Sequence, residues 1–406
     1  MRKHLIKFST DAERIQYSDS EEYVEPFVSL VAENGNSYYN KHDYSNDYLT
    51  FVILEDGTVT FEAKSSSVPK TISYSIDSGE TWSNLTTSTT PQSLGGELSA
   101  GSEVWVKGNN DAYGTTAFTN CNKFGGTAKV NVCGNIMSLI YGDNFIGNST
   151  LTTNGTFACL FQDCVNLISA KNLVLPSTTL RDYCYTNLFR GCTSLIEAPS
   201  LPAVGLAQYC YSLMFYNCTS LAKAPKLPAL AMAQYCYNSM FGGCTSLTKA
   251  PELPAIIFAR NCYCEMFNGC TSLTEAPDLP VTTLVKSCYY GMFANCTALV
   301  NAPVLSATTL VEYCYCKMFS GCTSLTSAPE LPATTLENSC YDNMFNGCSS
   351  LNYIKAMFTT EPSISYTSDW VNGVSATGTF VKNSAAEWEV TGANGIPEGW
   401  TVETAN

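Results

Sequence analysis

From Phe161 to Leu351 the chain repeats one phrase, and no other feature constrains its fold as strongly. Phe189, Phe215, Phe241, Phe267, Phe293, Phe319 and Phe345 follow one another at intervals of 26 residues, with Phe161 28 residues before the first. A unit this short cannot bury its own apolar face, so a drift-free period of this size predicts units that stack. In FSGCTSLTSAPELPATTLENSCYDNMF, which begins at Phe319, the apolar pattern Leu325, Ala328, Leu331 is cut off by Pro329 and Pro332. That predicts a short strand and a turn, because proline donates nothing to a ladder. Leu336, Cys340, Tyr341, Met344 and Phe345 then fall at helical offsets, which predicts a short helix with one apolar face. The residue before the first cysteine of each unit is Asp163, Gly191, Asn217, Gly243, Gly269, Asn295, Gly321 or Gly347. Only types that tolerate a left-handed backbone, or that close a helix, occur there. The expected fold class is an α/β solenoid of strand-turn-helix units.

Two cysteine columns run through the array: Cys164, Cys192, Cys218, Cys244, Cys270, Cys296, Cys322, Cys348, and Cys184, Cys210, Cys236, Cys262, Cys288, Cys314, Cys340. Two readings stand side by side. Cysteine is a small, readily buried hydrophobe, so the columns read as internal ladders of thiols; disulfides within a column require coils close enough to aim the sulfurs at each other. Cys262/Cys264 and Cys314/Cys316 are C-x-C pairs, but no CxxC spacing accompanies them, and neither a structural metal nor a cofactor is expected.

The pattern F-x-x-C-x-x-L-x-x-A-P-x-L-P with a later C-Y-x-x-M-F resembles the BspA-like leucine-rich repeats of bacterial surface proteins over residues 156–351. The unit is longer than the usual one of that family and carries Ala-Pro where an aliphatic is usual. The opening EYVEPFVSLV is similar to the start of many proteins of gut Bacteroidales and their phages. These resemblances imply a leucine-rich-repeat-like array in an adhesion protein of a cell surface or phage virion, or in a structural virion component.

Outside the array, residues 1–49 read as an N-terminal anchoring or pairing segment with a short strand near Ile6. Residues 50–110 alternate as strands about Asp56-Gly57, the hairpin signal, and about Asp77-Ser78-Gly79, which predicts a small antiparallel sandwich. The run ISYSIDSGETW looks like an Ig-like accessory domain. Residues 111–160, where Phe118 and Cys121 repeat the F-x-x-C opening, are expected to cap the array at its N-terminal end. Residues 161–351 are the repeats, and 352–406, with Trp370, Trp388 and Trp400, the C-terminal cap.

Composition narrows the partners. Lys and Arg number 21 against 35 Asp and Glu, a net charge of -14, so a nucleic acid is not an expected partner. No apolar run is long enough for membrane insertion or for a secretory leader, so synthesis in the cytoplasm with release by lysis accompanies the virion or cell-surface expectation. His4 and His42 are the only histidines and both precede the repeats, so a histidine-based catalytic triad within the array is excluded and no enzyme activity is expected. Asn217-Cys218-Thr219 and Asn295-Cys296-Thr297 match a glycosylation pattern but belong to repeat columns, and no glycan is read into them.

Repetition breaks at one column. Outer units carry Thr-Thr after the second proline (Thr178-Thr179, Thr282-Thr283, Thr308-Thr309, Thr334-Thr335), which fits the cap of a following helix. The middle units carry Val204, Leu230 and Ile256 with Ile257 instead, an apolar stripe expected to be covered by a nearby segment or to dock a protein partner, homo-oligomer or virion protein. The tyrosine column Tyr185, Tyr211, Tyr237, Tyr263, Tyr289, Tyr315, Tyr341 reads either as a buried ladder or as an exposed stacking surface for a surface glycan.

Overall fold

The computed structural model describes residues 5–7, 27–31, 37–64, 67–116 and 120–405. Three short strands, β1 (Leu5–Lys7), β2 (Phe27–Val31) and β3 (Ser37–Lys41), form an antiparallel sheet in the order β1-β3-β2. Of the N-terminal segment expected to anchor or pair, residues 42–49 are described as well, while residues 1–4, 8–26 and 32–36, His4 included, lie outside the described residues, as does Phe118.

A two-sheet module follows. Its larger sheet runs β12 (Leu167–Val174), β11 (Lys129–Asn135), β4 (Leu49–Glu55), β9 (Glu103–Gly108), β6 (Thr71–Ser75), β7 (Ser83–Thr86). The smaller sheet runs β10 (Asn122–Gly126), β5 (Val59–Ala63), β8 (Gln92–Ser93). The Ig-like sandwich expected from residues 50–110 alone is therefore not formed, because both sheets are completed by strands from beyond residue 110. Asp56-Gly57 makes no hairpin either. β4 pairs with β9 and β11, β5 pairs with β8 and β10, and the dipeptide is the corner where the chain changes sheets. Three bonds pin that corner: Gly57 and Leu98 exchange backbone hydrogen bonds at 3.0 and 2.8 Å, and Asp56 accepts from the Ala100 N–H at 2.7 Å. Asp77-Ser78-Gly79 does turn β6 into β7.

β12 joins the module to the array by lying parallel to β11. Phe51 and Phe61 of the module pack on Phe124 with ring centroids 5.0 and 4.5 Å apart. Phe124 packs on Phe161 at 5.8 Å, and Phe161 on Phe189 at 5.4 Å. From there the phenylalanine column continues to Phe345 with spacings of 5.5 to 5.8 Å, so module and array share one core.

Neighbouring 26-residue units do stack, but they contain no helix. Among the described residues the single α-helical turn is α1 (Ser138–Tyr141), beside two 3-10 turns, Tyr44–Asn46 and Gly142–Asn144. The α/β solenoid of strand-turn-helix units is overturned, and with it the likeness to BspA-like leucine-rich repeats. The reason lies in the backbone. Cys184, Thr186, Leu188, Arg190 and Cys192 donate their N–H groups three residues back within their own coil, at 3.0–3.3 Å. Tyr183, Tyr185, Asn187, Phe189 and Gly191 donate instead to the next coil, to the carbonyls of Gln208, Cys210, Ser212, Met214 and Tyr216 at 2.8–3.0 Å. A helix needs every N–H directed back along its own axis, so a segment that sends alternate groups sideways is a string of turns.

Every fourth residue is left-handed to make this possible: Tyr183, Asn187 and Gly191 have φ of 59°, 55° and 74°, and Tyr209, Leu213 and Asn217 have 54°, 56° and 58°. Each non-glycine residue held so costs roughly 1–2 kcal/mol, which the inter-coil hydrogen bonds, worth about 0.5–1.5 kcal/mol each, offset together with ring burial. The expected strand shrinks as well. Lys223, Lys249, Glu275 and Asn301 form one-residue parallel bridges from coil to coil, and the Ala-Pro that follows removes the next donor. The ladder widens into parallel strands at its two ends: β12, whose Ser169 bridges Glu197, lies parallel to β11, and the C-terminal end forms the sheet β13 (Tyr353–Ala356), β14 (Thr379–Lys382), β15 (Thr401–Thr404). There Trp370 closes the phenylalanine column at 6.1 Å from Phe345.

The first cysteine column has a defined task. Cys192, Cys218, Cys244, Cys270, Cys296, Cys322 and Cys348 are fully buried and each donates its thiol hydrogen to the carbonyl of Phe161, Phe189, Phe215, Phe241, Phe267, Phe293 or Phe319, at 3.0–3.1 Å. Phe189 O thereby accepts twice, from Cys192 N–H in its own coil and from Cys218 Sγ in the next. All 20 cysteines are thiols.

Phe267 is fully buried between Phe241 and Phe293, each 5.8 Å away. Phe267→Ala is expected to cost about 3–5 kcal/mol in a urea unfolding curve. Cys270→Ala, which removes one thiol donor and little volume, is expected to cost about 1 kcal/mol; equal losses for the two would contradict this account of the columns.

Candidate functional site

The apolar stripe lies where the proline-rich edge of the coil turns back toward the core. Val204 and Gly205 donate to the Thr178 carbonyl at 3.0 Å each, and Leu180 donates back to Gly205 at 2.8 Å. Two coils further on, Ile256 and Ile257 donate to the Leu230 carbonyl at 2.9 and 3.2 Å, and Met232 donates to Ile257 at 2.8 Å. These parallel contacts hold the backbone of the edge and leave the side chains pointing outward. Val204, Leu230, Ile256 and Ile257 are 57%, 55%, 66% and 61% exposed, so no described segment covers them. The threonine pairs of the outer coils, Thr282-Thr283 and Thr308-Thr309, occupy the same exposed edge and cap no helix.

Behind the stripe the same coils present half-buried Leu206, Ala207, Ala233, Phe258 and Ala259, packed on the core. Five residues beyond Val204 comes a second tyrosine column that sequence reasoning missed. Tyr183, Tyr209 and Tyr235, half-buried and left-handed at φ 59°, 54° and 55°, stack with centroids 4.8 and 4.5 Å apart. Burial, followed by the neighbouring Tyr235 and Tyr183, pushes the Tyr209 phenol up to about 12. The column Tyr185 to Tyr341 is buried, ring on ring at 5.7–6.1 Å. In both columns each inner ring face meets its neighbour.

A second site, also missed, is an open cleft of about 720 Å³ on the module, lined by His42, Tyr44, Asp47, Glu103, Trp105, Asn131, Cys133 and Asn172 among others. Sheet pairing assembles it: Thr50 of β4 lies opposite Trp105 of β9 on one side and opposite Cys133 of β11 on the other. His42 Nε2 bonds Asp47 Oδ2, and Asn172 Nδ2 donates to the Tyr44 hydroxyl at 3.2 Å. A cysteine, a histidine and an aspartate thus line one cleft. The electrostatics run against a nucleophile, however: burial, then the Glu103 and Asp47 carboxylates, push the Cys133 thiol up to about 12. The same burial, with Cys133, Asp47 and Glu103 beside it, pushes Tyr44 up to about 12.

Cys264 and Cys316, the second members of the C-x-C pairs, are buried, and among the described residues no group of three or more His, Cys, Asp or Glu could hold a metal ion. No described helix is long and apolar enough to cross a membrane. Set against protein-family models, curated proteins and solved structures, the chain matches none.

With its thiol held near 12, Cys133 should be alkylated by iodoacetamide at pH 8 on the order of a hundredfold more slowly than an ordinary cysteine of pKa about 8.5, the smaller thiolate fraction being partly offset by the greater nucleophilicity of a more basic thiolate. Glu103→Gln removes a carboxylate that opposes the thiolate and should speed the reaction. Peptide mass spectrometry of timed samples reads both rates, and a Cys133 that reacts like a free thiol would refute the electrostatic reading of the cleft.

Proposed function

We propose that this chain is a non-catalytic protein-binding module of adhesion type, and that its partner docks on the edge carrying Val204, Leu230, Ile256 and Ile257. The observation that carries the reading is the exposure of Val204, Leu230 and Ile256 in three consecutive coils, at a column that elsewhere holds threonine, with exposed Ile257 beside them. Contiguous exposed apolar surface of this kind marks interaction sites, and here the fold gives no other reason for it. A protein partner fits better than a glycan, because both tyrosine columns cover their inner ring faces with one another. The net charge of -14 favours a partner whose rim is basic, and it disfavours a second copy of the chain. The high thiol of Cys133 supports a non-catalytic role for the cleft.

Replacing Val204, Leu230 and Ile256 together by Thr restores the residue type of the outer coils and should change stability by no more than about 0.5 kcal/mol per site. Panning a displayed library of random peptides on the immobilised chain is expected to enrich apolar sequences rich in Lys and Arg. Their affinity should fall at least tenfold, about 1.4 kcal/mol, on the triple variant. Selected peptides that bind both forms equally, or a wild-type dimer that the triple substitution dissolves in light scattering, would overturn the proposal.

A further inference from the structure

Fifteen cysteines belong to the two columns; Cys121 and Cys159 do not, and the fold brings these two together from separate elements. Cys121 enters β10, where its carbonyl accepts from Lys64 N–H at 2.8 Å and from Ser67 Oγ at 3.0 Å. Cys159 sits in the first coil and donates its N–H to Thr186 O at 2.9 Å. Two backbone bonds keep the segments alongside each other: Phe124 N–H to Leu160 O at 2.8 Å, and Tyr113 N–H to Thr156 O at 2.7 Å. With Ala158 the two cysteines form a small buried cluster of their own, apart from the main core, and their thiols hydrogen-bond to each other. Cys159 is one of the non-glycine residues held left-handed, at φ 62°.

The surroundings separate the two sulfurs chemically. The two thiols share a hydrogen bond, Asn187 Nδ2 stands 3.8 Å from Cys159 Sγ, and Lys64 and Arg190 add positive charge on the Cys159 side. Together these hold the Cys159 thiol below its ordinary value despite burial, and the same bond, with burial, holds Cys121 above its own. The thiols of the first column from Cys192 onward differ in kind, since they donate to phenylalanine carbonyls and burial pushes them up. The pair also lies close to the surface: Asn120 is half-exposed, and exposed Thr115 donates to its carbonyl at 3.5 Å.

We propose that Cys121 and Cys159 are a redox pair that closes to a disulfide under peroxide and ties the β module to the first coil of the array. The Cys159 thiolate attacks one oxygen of hydrogen peroxide; an S–O bond forms, the O–O bond breaks, and the departing hydroxide takes a proton to become water. Cys121 then attacks the sulfur of the resulting sulfenic acid. The S–S bond forms, the S–O bond breaks, and the hydroxide leaves as water with the Cys121 proton. Two thiols and one peroxide become one disulfide and two waters.

The test treats the full chain with a small molar excess of hydrogen peroxide, blocks remaining thiols with N-ethylmaleimide in denaturant, and maps peptides by mass spectrometry. A linked peptide joining Cys121 to Cys159 is expected, two hydrogens lighter than the separate peptides and released by dithiothreitol. Column cysteines such as Cys218 and Cys244 should remain fully alkylated, and Tm should rise on oxidation and fall back on reduction. In Cys121→Ser, dimedone should trap a sulfenic acid at Cys159; in Cys159→Ser it should trap none at Cys121. Oxidation of column cysteines at the same rate as the pair, or an untrapped Cys159 in Cys121→Ser of native circular dichroism, would overturn the assignment.

Discussion

The array stands on a division of labour among backbone N–H groups. Alternate residues bond within their own coil and the others bond to the next, so each stretch such as Tyr183 to Gly191 is both a run of tight turns and one face of a ladder. A backbone that does both must turn back on itself every four residues, and the left-handed residues supply that turn. The ladder keeps its register from coil to coil: the step from Phe189 onward is 26 residues, and across the longer 28-residue step from Phe161 to Phe189 the same bonds form, from Phe157, Cys159, Phe161 and Asp163 to Cys184, Thr186, Leu188 and Arg190. Register in the ladder and ring stacking in the core therefore agree at every coil.

The side chains take up this register. Phenylalanine rings stack at 5.4–5.8 Å, tyrosines at 5.7–6.1 Å, and each buried thiol of the first column from Cys192 onward fills the second acceptor site of a phenylalanine carbonyl one coil back. Cysteine suits that position because it is small enough for a closed core and still donates weakly. Substitution to a pure hydrophobe keeps the volume and leaves an acceptor half used. Alanine would also open a void.

A structure so closely determined inside leaves its variation to the edges. The stripe Val204, Leu230, Ile256, Ile257 sits on an edge whose backbone bonds hold whichever side chain stands there, so the column changes without cost to the ladder. The module offers a different kind of surface. Its cleft arises because two strands distant in sequence flank β4, and the Glu103 and Asp47 carboxylates line it beside a part-buried thiol whose ionisation they oppose.

Stacking of short units, the depth of the cysteine columns and the place of the stripe were legible in the sequence, because burial and period write themselves directly into residue type. Even the left-handed position before each cysteine was readable, since Gly191, Asn217 and Asp163 are types that take it cheaply. The two further left-handed positions in each coil were not, because Tyr183, Leu213, Glu265 and Lys317 carry no such mark; the apolar offsets from Leu336 to Phe345 therefore looked helical. Composition and period by themselves determined that the coils stack, and which side chains they bury. Only the tertiary structure decided the path of the backbone between those side chains, the corner at Asp56-Gly57, the meeting of Cys121 with Cys159 and the cleft around Cys133. Each of these depends on hydrogen bonds to a neighbour that is far away in sequence, and the residues at either end do not name their partner.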